Sequence, residues 1–361
     1  MIYLDANATE IIRPEARAAV LAALDLTGNP SSVHTAGRAA RRVLEDARET
    51  LAARFGAAPA DVVFTSGGTE ADALAVHGLG RGRRLLIGAT EHDAVRAAAT
   101  GADVLPVDRH GVADLAALAR WLQGGPALVC LMLANNETGV LHPIADAAAL
   151  CRGAGAWLHV DAAQAAGRMP ARLDDLGAHS LALSGHKLGG PQGAGALLLA
   201  ADAAAALAPL IVGGGQERGR RGGTPALPAI AGFAAAVRVG GDLAHLAALR
   251  DAAEQAAMSV GAVVLGGGAP RLPNTTCLAL PGVPAQTQVI ALDLAGVQVS
   301  AGAACSSGKV ARSHVLDAMG AGALAGQAIR VSLPWNATAQ DVAGFALAYQ
   351  TMAARLSRSA A

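Results

Sequence analysis

Lysine is almost absent from this chain of 361 residues, because Lys187 and Lys309 are the two lysines among 28 basic residues. Arginine serves as well as lysine for solubility and for most ion pairs. A lysine that is kept in so arginine-rich a chain therefore suggests a task for a primary amine. Lys187 lies in the stretch LALSGHKLGGPQGAG, at the end of an apolar run and beside glycines.

Aromatic residues are also scarce, at 2% of the chain, although hydrophobic residues make up 53%. Alanine supplies much of this apolar fraction, so we expect a core of closely packed helices and aliphatic strands. The formal net charge is zero, which argues against nucleic acid or an anionic membrane surface as the main partner. The length suits one large α/β unit with a second, smaller lobe.

The four cysteines are widely separated, with no C-x-x-C pair and no zinc-like spacing. A disulfide framework is therefore not expected. The first residues lack the basic and then apolar segments of a signal peptide, and no uncharged apolar run reaches about 18 residues. These absences predict a cytoplasmic protein without membrane spans.

Short apolar runs alternate with helix-like segments through the middle of the chain, for example 62–64 followed by 70–77. This alternation predicts a mainly parallel sheet wrapped by helices and joined by right-handed crossovers. After about residue 240 the pattern changes to a helix, short strands and a GGG turn. We therefore predict a large α/β domain over 11–240 and a small α+β domain over 241–361, which residues 1–10 would join.

Polar clusters directly follow several of the predicted strands. VVF leads to TSGGTE, LLI to GATEH, CLML to ANNETG, WLHV to DAAQ, and LAL to SGHK. Ligands of open α/β sheets bind beyond the carboxyl ends of the strands. We therefore expect these clusters to form one site.

Each cluster taken alone has a structural and a functional interpretation. The stretch 65–69 is either a plain turn or a phosphate cradle made of glycine N–H groups and a helix N-terminus. Asp161 could cap a helix or face a cationic ring nitrogen, and Gln164 would lie near the same edge. His92 could be a core or capping histidine, or could lay its ring on another aromatic ring.

Lys187 decides between these interpretations. An amine that attacks an aldehyde must lose its proton, and burial beside a cationic cofactor lowers its pKa. Arginine cannot do this because it stays protonated. A phosphate cradle, a ring-nitrogen carboxylate, a stacking imidazole and a Schiff-base lysine together predict a pyridoxal phosphate site.

With these residues in place, the chain resembles the class V aminotransferase group of fold-type-I pyridoxal-phosphate enzymes. It is most similar to the cysteine desulfurases of the nitrogen-fixation and iron–sulfur assembly type. The likeness covers almost the whole chain through eleven motifs in order, among them YLDANAT (3–9), FTSGGTE (64–70), TEHDAV (90–95), HVDAAQAAGR (159–168), SGHKLGGPQGAGAL (184–197) and SAGAACSSGK (300–309). The resemblance implies a large domain with a seven-stranded type of sheet and a smaller α+β domain that carries a catalytic cysteine loop.

The resemblance implies a role for each matching position around the cofactor. Lys187 would form the Schiff base, Asp161 would pair with the pyridine nitrogen, and His92 would stack on the ring and take part in catalysis. The other expected cofactor contacts are Gln164 and Asn136 near the phenolic oxygen, and Gly68, Thr69, Ser184 and His186 at the phosphate.

Two further positions carry substrate and subunit contacts in this resemblance. Arg330 would clamp the substrate α-carboxylate in a bidentate geometry, with Asn136 close to the substrate. Thr224, in a glycine-rich loop, would reach the phosphate of the other subunit's cofactor, which implies a homodimer.

Cys305 is the residue that separates a desulfurase from an ordinary aminotransferase. Its small, polar neighbours argue for exposure, and nearby Lys309 could favour the thiolate, whereas the other three cysteines are interpreted as buried hydrophobes. The resemblance therefore implies that L-cysteine becomes L-alanine while its sulfur forms a persulfide at Cys305. An acceptor such as an iron–sulfur scaffold protein would take the sulfur, and Cys305 could transiently bind iron during delivery.

Alternatives and departures from the family pattern accompany this interpretation. A selenocysteine lyase or another class V aminotransferase is the nearest alternative, and a non-catalytic scaffold homologue is another. Glu10 stands where relatives often have a second threonine, and Ala73 where they often have asparagine. The sequence Pro-Trp-Asn at 334–336 replaces Gly-Arg and an aromatic close to Arg330, so substrate fit or partner choice could differ.

Overall fold

The computed structural model describes residues 1–302 and 312–359. The strands are β1 Ile2–Tyr3, β2 Val62–Thr65, β3 Arg84–Gly88, β4 Asp103–Leu105, β5 Ala127–Cys130, β6 Trp157–Asp161, β7 Ser180–Ser184, β8 Gly195–Leu199, β9 Val263–Leu265, β10 Thr275–Ala279, β11 Val297–Gln298, β12 Ser300–Ala301 and β13 Ala328–Ser332. The helices are α1 Pro14–Leu24, α2 Thr35–Phe55, α3 Gly68–Leu79, α4 Asp93–Ala98, α5 Leu115–Trp121, α6 Ile144–Gly153, α7 Leu173–Leu176, α8 Ala201–Ala206, α9 Leu227–Arg238, α10 Leu243–Met258, α11 Ala285–Leu294, α12 His314–Ala318 and α13 Ala339–Ser359.

A seven-stranded sheet has the order β2-β8-β7-β6-β5-β3-β4. β8 runs antiparallel to both of its neighbours, and the other pairs are parallel. The central strands read as near-continuous aliphatic runs, such as ALVC in β5 and GALLL in β8, because helices cover both faces. The mainly parallel, helix-covered sheet that the alternation predicted is confirmed.

Alanine fills much of the space between the sheet and its helices. Ala71 and Ala75 of α3 are fully buried against one face, and Ala147 of α6 is fully buried on the other side. A small side chain lets helix backbones approach the sheet closely, so dense packing is reached with few aromatic residues.

A second, four-stranded antiparallel sheet has the order β12-β13-β10-β9 and has its own hydrophobic cluster. α9 packs into the core of the large sheet through Ile230 and Phe233, whereas α10 packs into the second cluster through Leu246 and Leu249. These contacts support the proposal of a domain division between the two helices, near residue 240.

The N-terminal residues lie against the second lobe before the chain enters the first. β1 pairs in parallel with β11, and Asp5 forms an isolated bridge with Ser332 at the end of β13. From there the chain runs to the edge of the large sheet, where Arg13 N donates to Gly189 O at 2.8 Å.

Within residues 1–302 and 312–359, no single helix is long and apolar enough to cross a bilayer. The consecutive helices α9 and α10 together have the length and the apolar composition of a span, but the chain bends by 87° between them.

Candidate active site

A cavity of about 430 Å³ opens where β2, β5, β6 and β7 end. Its position follows from the topology, because the carboxyl ends of parallel strands meet at one edge of the sheet. Ten of the residues expected at the site line this cavity: Gly68, Thr69, His92, Asn136, Asp161, Gln164, Ser184, His186, Lys187 and Arg330. The polar clusters after the strands therefore do converge on one place.

Lys187 lies in a single turn, Gly185–Lys187, directly after β7. Its Nζ atom donates to the carbonyl oxygens of Asn7 at 2.5 Å and Ala8 at 2.9 Å. Gly189 has φ +84°, a backbone conformation that favours glycine, and allows the chain to turn away behind the lysine. The half-buried amine is thus held at the wall of the cavity by backbone acceptors.

The first turn of α3 forms one end of the cavity. Gly68 begins this helix of 12 residues, so its backbone N–H groups and the positive end of the helix dipole face the cavity end. A Cβ atom on Gly68 would lie 3.3 Å from Cβ of Ser184, so glycine keeps the space beside that hydroxyl open. Burial, with a smaller contribution from Lys187, lowers the pKa of His186 to about 4, so its imidazole is neutral near pH 7.

Asp161 lies in the interior of the cavity at the end of β6 and is 6% exposed. Its Oδ1 atom accepts from Ala163 N at 2.8 Å. Burial raises the pKa of Asp161, while the Ala163 N–H, His92 and Lys187 act in the opposite direction. A cation beside this carboxylate would stabilise its charged form, which is the environment that a protonated ring nitrogen requires.

A second buried acid, Asp72 on α3, also lines the cavity and was not predicted to belong to the site. His159 Nε2 lies 3.1 Å from Asp72 Oδ1, and His159 Nδ1 lies 2.8 Å from Ser180 Oγ. Burial, followed by the charges of Asp161 and Glu91, raises the pKa of Asp72 well above its usual range. The nearby charge of Asp161 is therefore one of the reasons why the charged form of Asp72 is disfavoured.

His92 is the N-cap of α4, and its Nδ1 atom accepts from Ala94 N at 3.1 Å. The helix-cap interpretation is therefore confirmed, and the same ring also lines the cavity. Because Nδ1 accepts, the neutral ring carries its proton on Nε2. Stacking of this ring on a cofactor stays a prediction.

Arg330 of β13 is buried at the side of the cavity that faces the second lobe. Its Nη2 pairs with Asp5 Oδ1 at 2.7 Å, and its Nη1 donates to Asn136 O at 3.1 Å. Its Nε is buried without a hydrogen-bond partner among the residues that the structure describes. A bidentate clamp on a carboxylate, still a prediction, would have to use the remaining N–H groups.

Asn7 also lines the cavity, although it was not among the predicted site residues. It lies within the motif YLDANAT (3–9). Its carbonyl oxygen accepts from both Lys187 Nζ and Gln164 Nε2. Its side-chain amide donates to Asn136 O at 3.1 Å and to Thr275 Oγ1 at 2.9 Å. No local pattern could show these contacts, because they join residues that are far apart in sequence.

Two of the predicted site residues, Thr224 and Cys305, are not among the described residues that line the cavity. Thr224 is exposed and does not line it, so its expected contact with a second subunit stays a prediction. Cys305 and Lys309 lie outside the described residues, and so does the predicted transient iron site. Across 1–302 and 312–359, no group of three His, Cys, Asp or Glu residues could hold a metal ion.

The three other cysteines, Cys130, Cys151 and Cys277, are buried and free, as the sequence predicted. Burial raises the pKa of Cys151 to about 12. Burial is also the main cause of the raised pKa values of Cys130 and Cys277. These thiols are therefore poor nucleophiles near neutral pH.

The donors around the cavity fit pyridoxal phosphate. A helix N-terminus with the Ser184 hydroxyl suits a phosphate, the buried Asp161 suits a cationic ring nitrogen, and the Lys187 amine suits an aldehyde. The space kept open at Gly68 and the cavity volume of about 430 Å³ suit a small-molecule ligand.

Comparison with known proteins agrees with this site. The family model described as aminotransferase class-V matches residues 2–345, so the chain belongs to that family. It is 42% identical over 360 residues to a cysteine desulfurase of Cereibacter sphaeroides, with 94% of this chain and 92% of that protein covered. It is 38% identical to an IscS-like cysteine desulfurase of Mycobacterium tuberculosis, with 95% and 93% covered.

Solved structures of similar proteins have the same architecture. The X-ray structure of a NifS-like protein from Rickettsia africae matches with a TM-score of 0.89 at 33% identity, with 98% of this chain and 99% of that chain covered. A structure described as SspA in complex with cysteine matches with a TM-score of 0.83 at 28% identity, with 94% and 100% covered. The predicted fold-type-I architecture and the predicted family are confirmed, and members of this family use pyridoxal phosphate.

Proposed function

We propose that this protein is a pyridoxal-phosphate-dependent cysteine desulfurase, which converts L-cysteine to L-alanine and transfers the sulfur to Cys305. The observation that carries the proposal is the convergence of Lys187, Asp161 and Arg330 on one cavity, in a chain 42% identical to a cysteine desulfurase. An amine, a buried acid and a buried guanidinium are the groups that an amino-acid substrate of such an enzyme needs.

Pyridoxal phosphate, when bound, supplies an aldehyde that captures amino groups and a ring that accepts the electron pair released at the substrate Cα. The side chains of the protein would hold the transferred proton and orient the substrate. Lys187 Nζ, held by the Asn7 and Ala8 carbonyls, would hold the proton that leaves Cα. Asp161 would keep a proton on the ring nitrogen, and Arg330 would orient the α-carboxylate.

Cys305 is proposed as the sulfur acceptor on the enzyme. Its thiolate would attack the sulfur of cysteine, so that a sulfur–sulfur bond forms while the carbon–sulfur bond breaks. Alanine then leaves with a new hydrogen on Cβ. We propose that a second protein, such as an iron–sulfur scaffold, removes the sulfur, and that the enzyme works in the cytoplasm.

A homodimer is part of the proposal, because exposed Thr224 lies away from the cavity of its own chain. The 213–225 segment is anchored to the large lobe through Glu217, which forms two hydrogen bonds with Arg48. Anchored in this way, the segment could present Thr224 to the cofactor phosphate of a second copy. Sedimentation equilibrium of the purified protein measures its oligomeric state directly, and a monomer at all concentrations would contradict the proposed homodimer.

The activity is tested by incubating the purified protein with L-cysteine and a thiol reductant and measuring sulfide and alanine together. Equal amounts of the two products are expected. Cys305→Ser should keep the visible colour of the bound cofactor and lose sulfide release, while Cys151→Ala, which removes a buried thiol, serves as the matched control. Alanine that forms only when pyruvate is added as the amino-group acceptor, without sulfide, would instead show transamination.

A further inference from the structure

Residues 4–13 form a strap that is bonded to both lobes at the active site. At one end, Leu4 O accepts from Ser332 N at 2.9 Å and Ala6 N donates to Ser332 O at 3.0 Å, next to Arg330 on β13. At the other end, Glu10 N donates to His186 O at 2.9 Å, directly before Lys187. The strap therefore joins the strand that carries the guanidinium to the turn that carries the amine.

Glu10 is a buried carboxylate within this strap and is 6% exposed. Its Oε1 atom accepts from Ile11 N at 2.9 Å and from Trp335 N at 3.3 Å. The indole Nε1 of Trp335 donates to Ile11 O at 3.0 Å, and the Arg13 guanidinium lies 4.9 Å from the centre of the indole ring. Two of the positions that depart from the family pattern are thus in direct contact, and we call them the Glu10–Trp335 clasp.

Arg168 connects the clasp to the catalytic amine. Its guanidinium is buried, and Nη2 lies 3.4 Å from Glu10 Oε2. Its Nη1 donates to Asn7 Oδ1 at 2.9 Å and to Gln164 Oε1 at 2.6 Å. Asn7 in turn accepts from Lys187 Nζ through its carbonyl. A buried guanidinium requires a nearby counter-charge, so the charge of Glu10 supports the geometry of Asn7.

We propose that Glu10 and Trp335 are positioning residues of this active site. They fix the strap so that its Asn7 and Ala8 carbonyls hold the Lys187 amine while its Asp5 carboxylate holds Arg330. Neither clasp residue has to touch the substrate. The two residues act on the amine through the hydrogen bonds of Arg168 and Asn7, and on Asp5 through the covalent backbone of the strap.

The scarcity of lysine gives a direct test that needs neither cofactor nor substrate. In cofactor-free protein, brief acetylation by acetic anhydride followed by peptide mass spectrometry measures the labelling rate of Lys187 relative to Lys309, the other lysine of the chain. Glu10→Gln and Trp335→Phe should each raise this ratio roughly three- to tenfold, because the amine is released from its acceptors. The double variant should resemble the stronger single variant, since the two residues act as one unit.

Matched controls separate positioning from general destabilisation. Glu254→Gln removes a buried carboxylate that pairs with Arg271, and Trp121→Phe removes an indole bond to Asp103 at 2.8 Å; neither Glu254 nor Trp121 lines the cavity. Both controls should leave the labelling ratio within about twofold of the unmodified protein. Glu10→Asp, which keeps the charge on a shorter side chain, should lie between the unmodified protein and Glu10→Gln.

The inference is overturned if the clasp variants lower the melting temperature as the controls do and leave the labelling ratio unchanged. A kinetic arm rests on the proposed function: the clasp variants should raise KM for L-cysteine, because Asp5 no longer fixes Arg330. If the unmodified protein releases no sulfide, the proposed function fails, while the labelling experiment still decides the role of the clasp.

Discussion

The buried ion pair between Arg48 and Glu217 gives a sharp test of how the glycine-rich segment is anchored. Both side chains are 3% exposed, with Arg48 Nη1 and Nη2 at 2.7 and 2.8 Å from the two carboxylate oxygens. Glu217 Oε2 also accepts from Phe64 N at 2.9 Å. The pair holds Glu217 at φ +48°, a left-handed conformation that non-glycine residues rarely adopt. The carboxylate therefore stabilises a left-handed backbone conformation that glutamate has little intrinsic tendency to adopt.

Glu217→Gln keeps the size of the side chain and removes its charge, so buried Arg48 keeps only Glu45, a 42% exposed carboxylate at 3.1 Å, as its counter-ion. Breaking a buried pair from one side costs about 3–5 kcal/mol. With an unfolding entropy of about 2.1 cal/mol/K per residue, a loss of 3 kcal/mol lowers Tm by about 4–6 °C, depending on whether one lobe or the whole chain unfolds together. Thermal and urea unfolding, followed by circular dichroism, measure this loss.

The matched control is the pair Arg172 and Asp174, which also forms two bonds, at 3.1 and 2.6 Å, but has side chains 39% and 50% exposed. Asp174→Asn should cost less than about 1 kcal/mol, because exposed pairs contribute little. Equal losses in the two variants would refute the argument that burial decides the value of the pair. A loss below about 1 kcal/mol for Glu217→Gln would refute it as well.

Three further perturbations follow from the same structure. Burial lowers the pKa of His142 to about 4, so between about pH 6.5 and 4 the unfolded state binds more protons than the folded state does. The free energy of unfolding should therefore fall by about 3 kcal/mol as pH decreases through that range. Urea titrations at several pH values should show a smaller dependence on pH for His142→Asn. Arg330→Lys keeps the charge but loses the planar donors, so KM for L-cysteine should rise about tenfold or more while bound cofactor is retained; an unchanged KM would contradict the clamp. Asp161→Asn should lower kcat at least about a hundredfold and weaken cofactor binding measured by visible absorbance, and near-normal turnover would remove Asp161 from its assigned role.

The convergence of the polar clusters was predictable from a single topological rule. Strands of one parallel sheet end at one edge, so Asp161 and Lys187 had to lie near each other once both were placed after buried strands. The role of His92 was only half predictable. Its capping bond is local and visible in the sequence, whereas its place on the cavity wall depends on how α4 packs.

The contacts of the N-terminal strap could not be predicted in the same way. Asn7 bonds to residues more than 120 positions away, and Glu10 bonds to Trp335 across 325 positions. Hydrophobic periodicity and turn signals describe only neighbours in the chain. The sequence marked Glu10 and Trp335 as unusual, and the tertiary structure was needed to show that they are unusual together.

The amino-acid sequence by itself determined the kind of chemistry, because a retained lysine, a strand-end aspartate and a glycine-rich helix start are choices of residue type that arginine, asparagine or alanine could not replace. The tertiary structure decided which atoms hold these groups. Hydrogen bonds and ion pairs act over a few ångströms, so whether Asn7 supports the amine and Asp5 the guanidinium depends on the packing of two lobes around one strap.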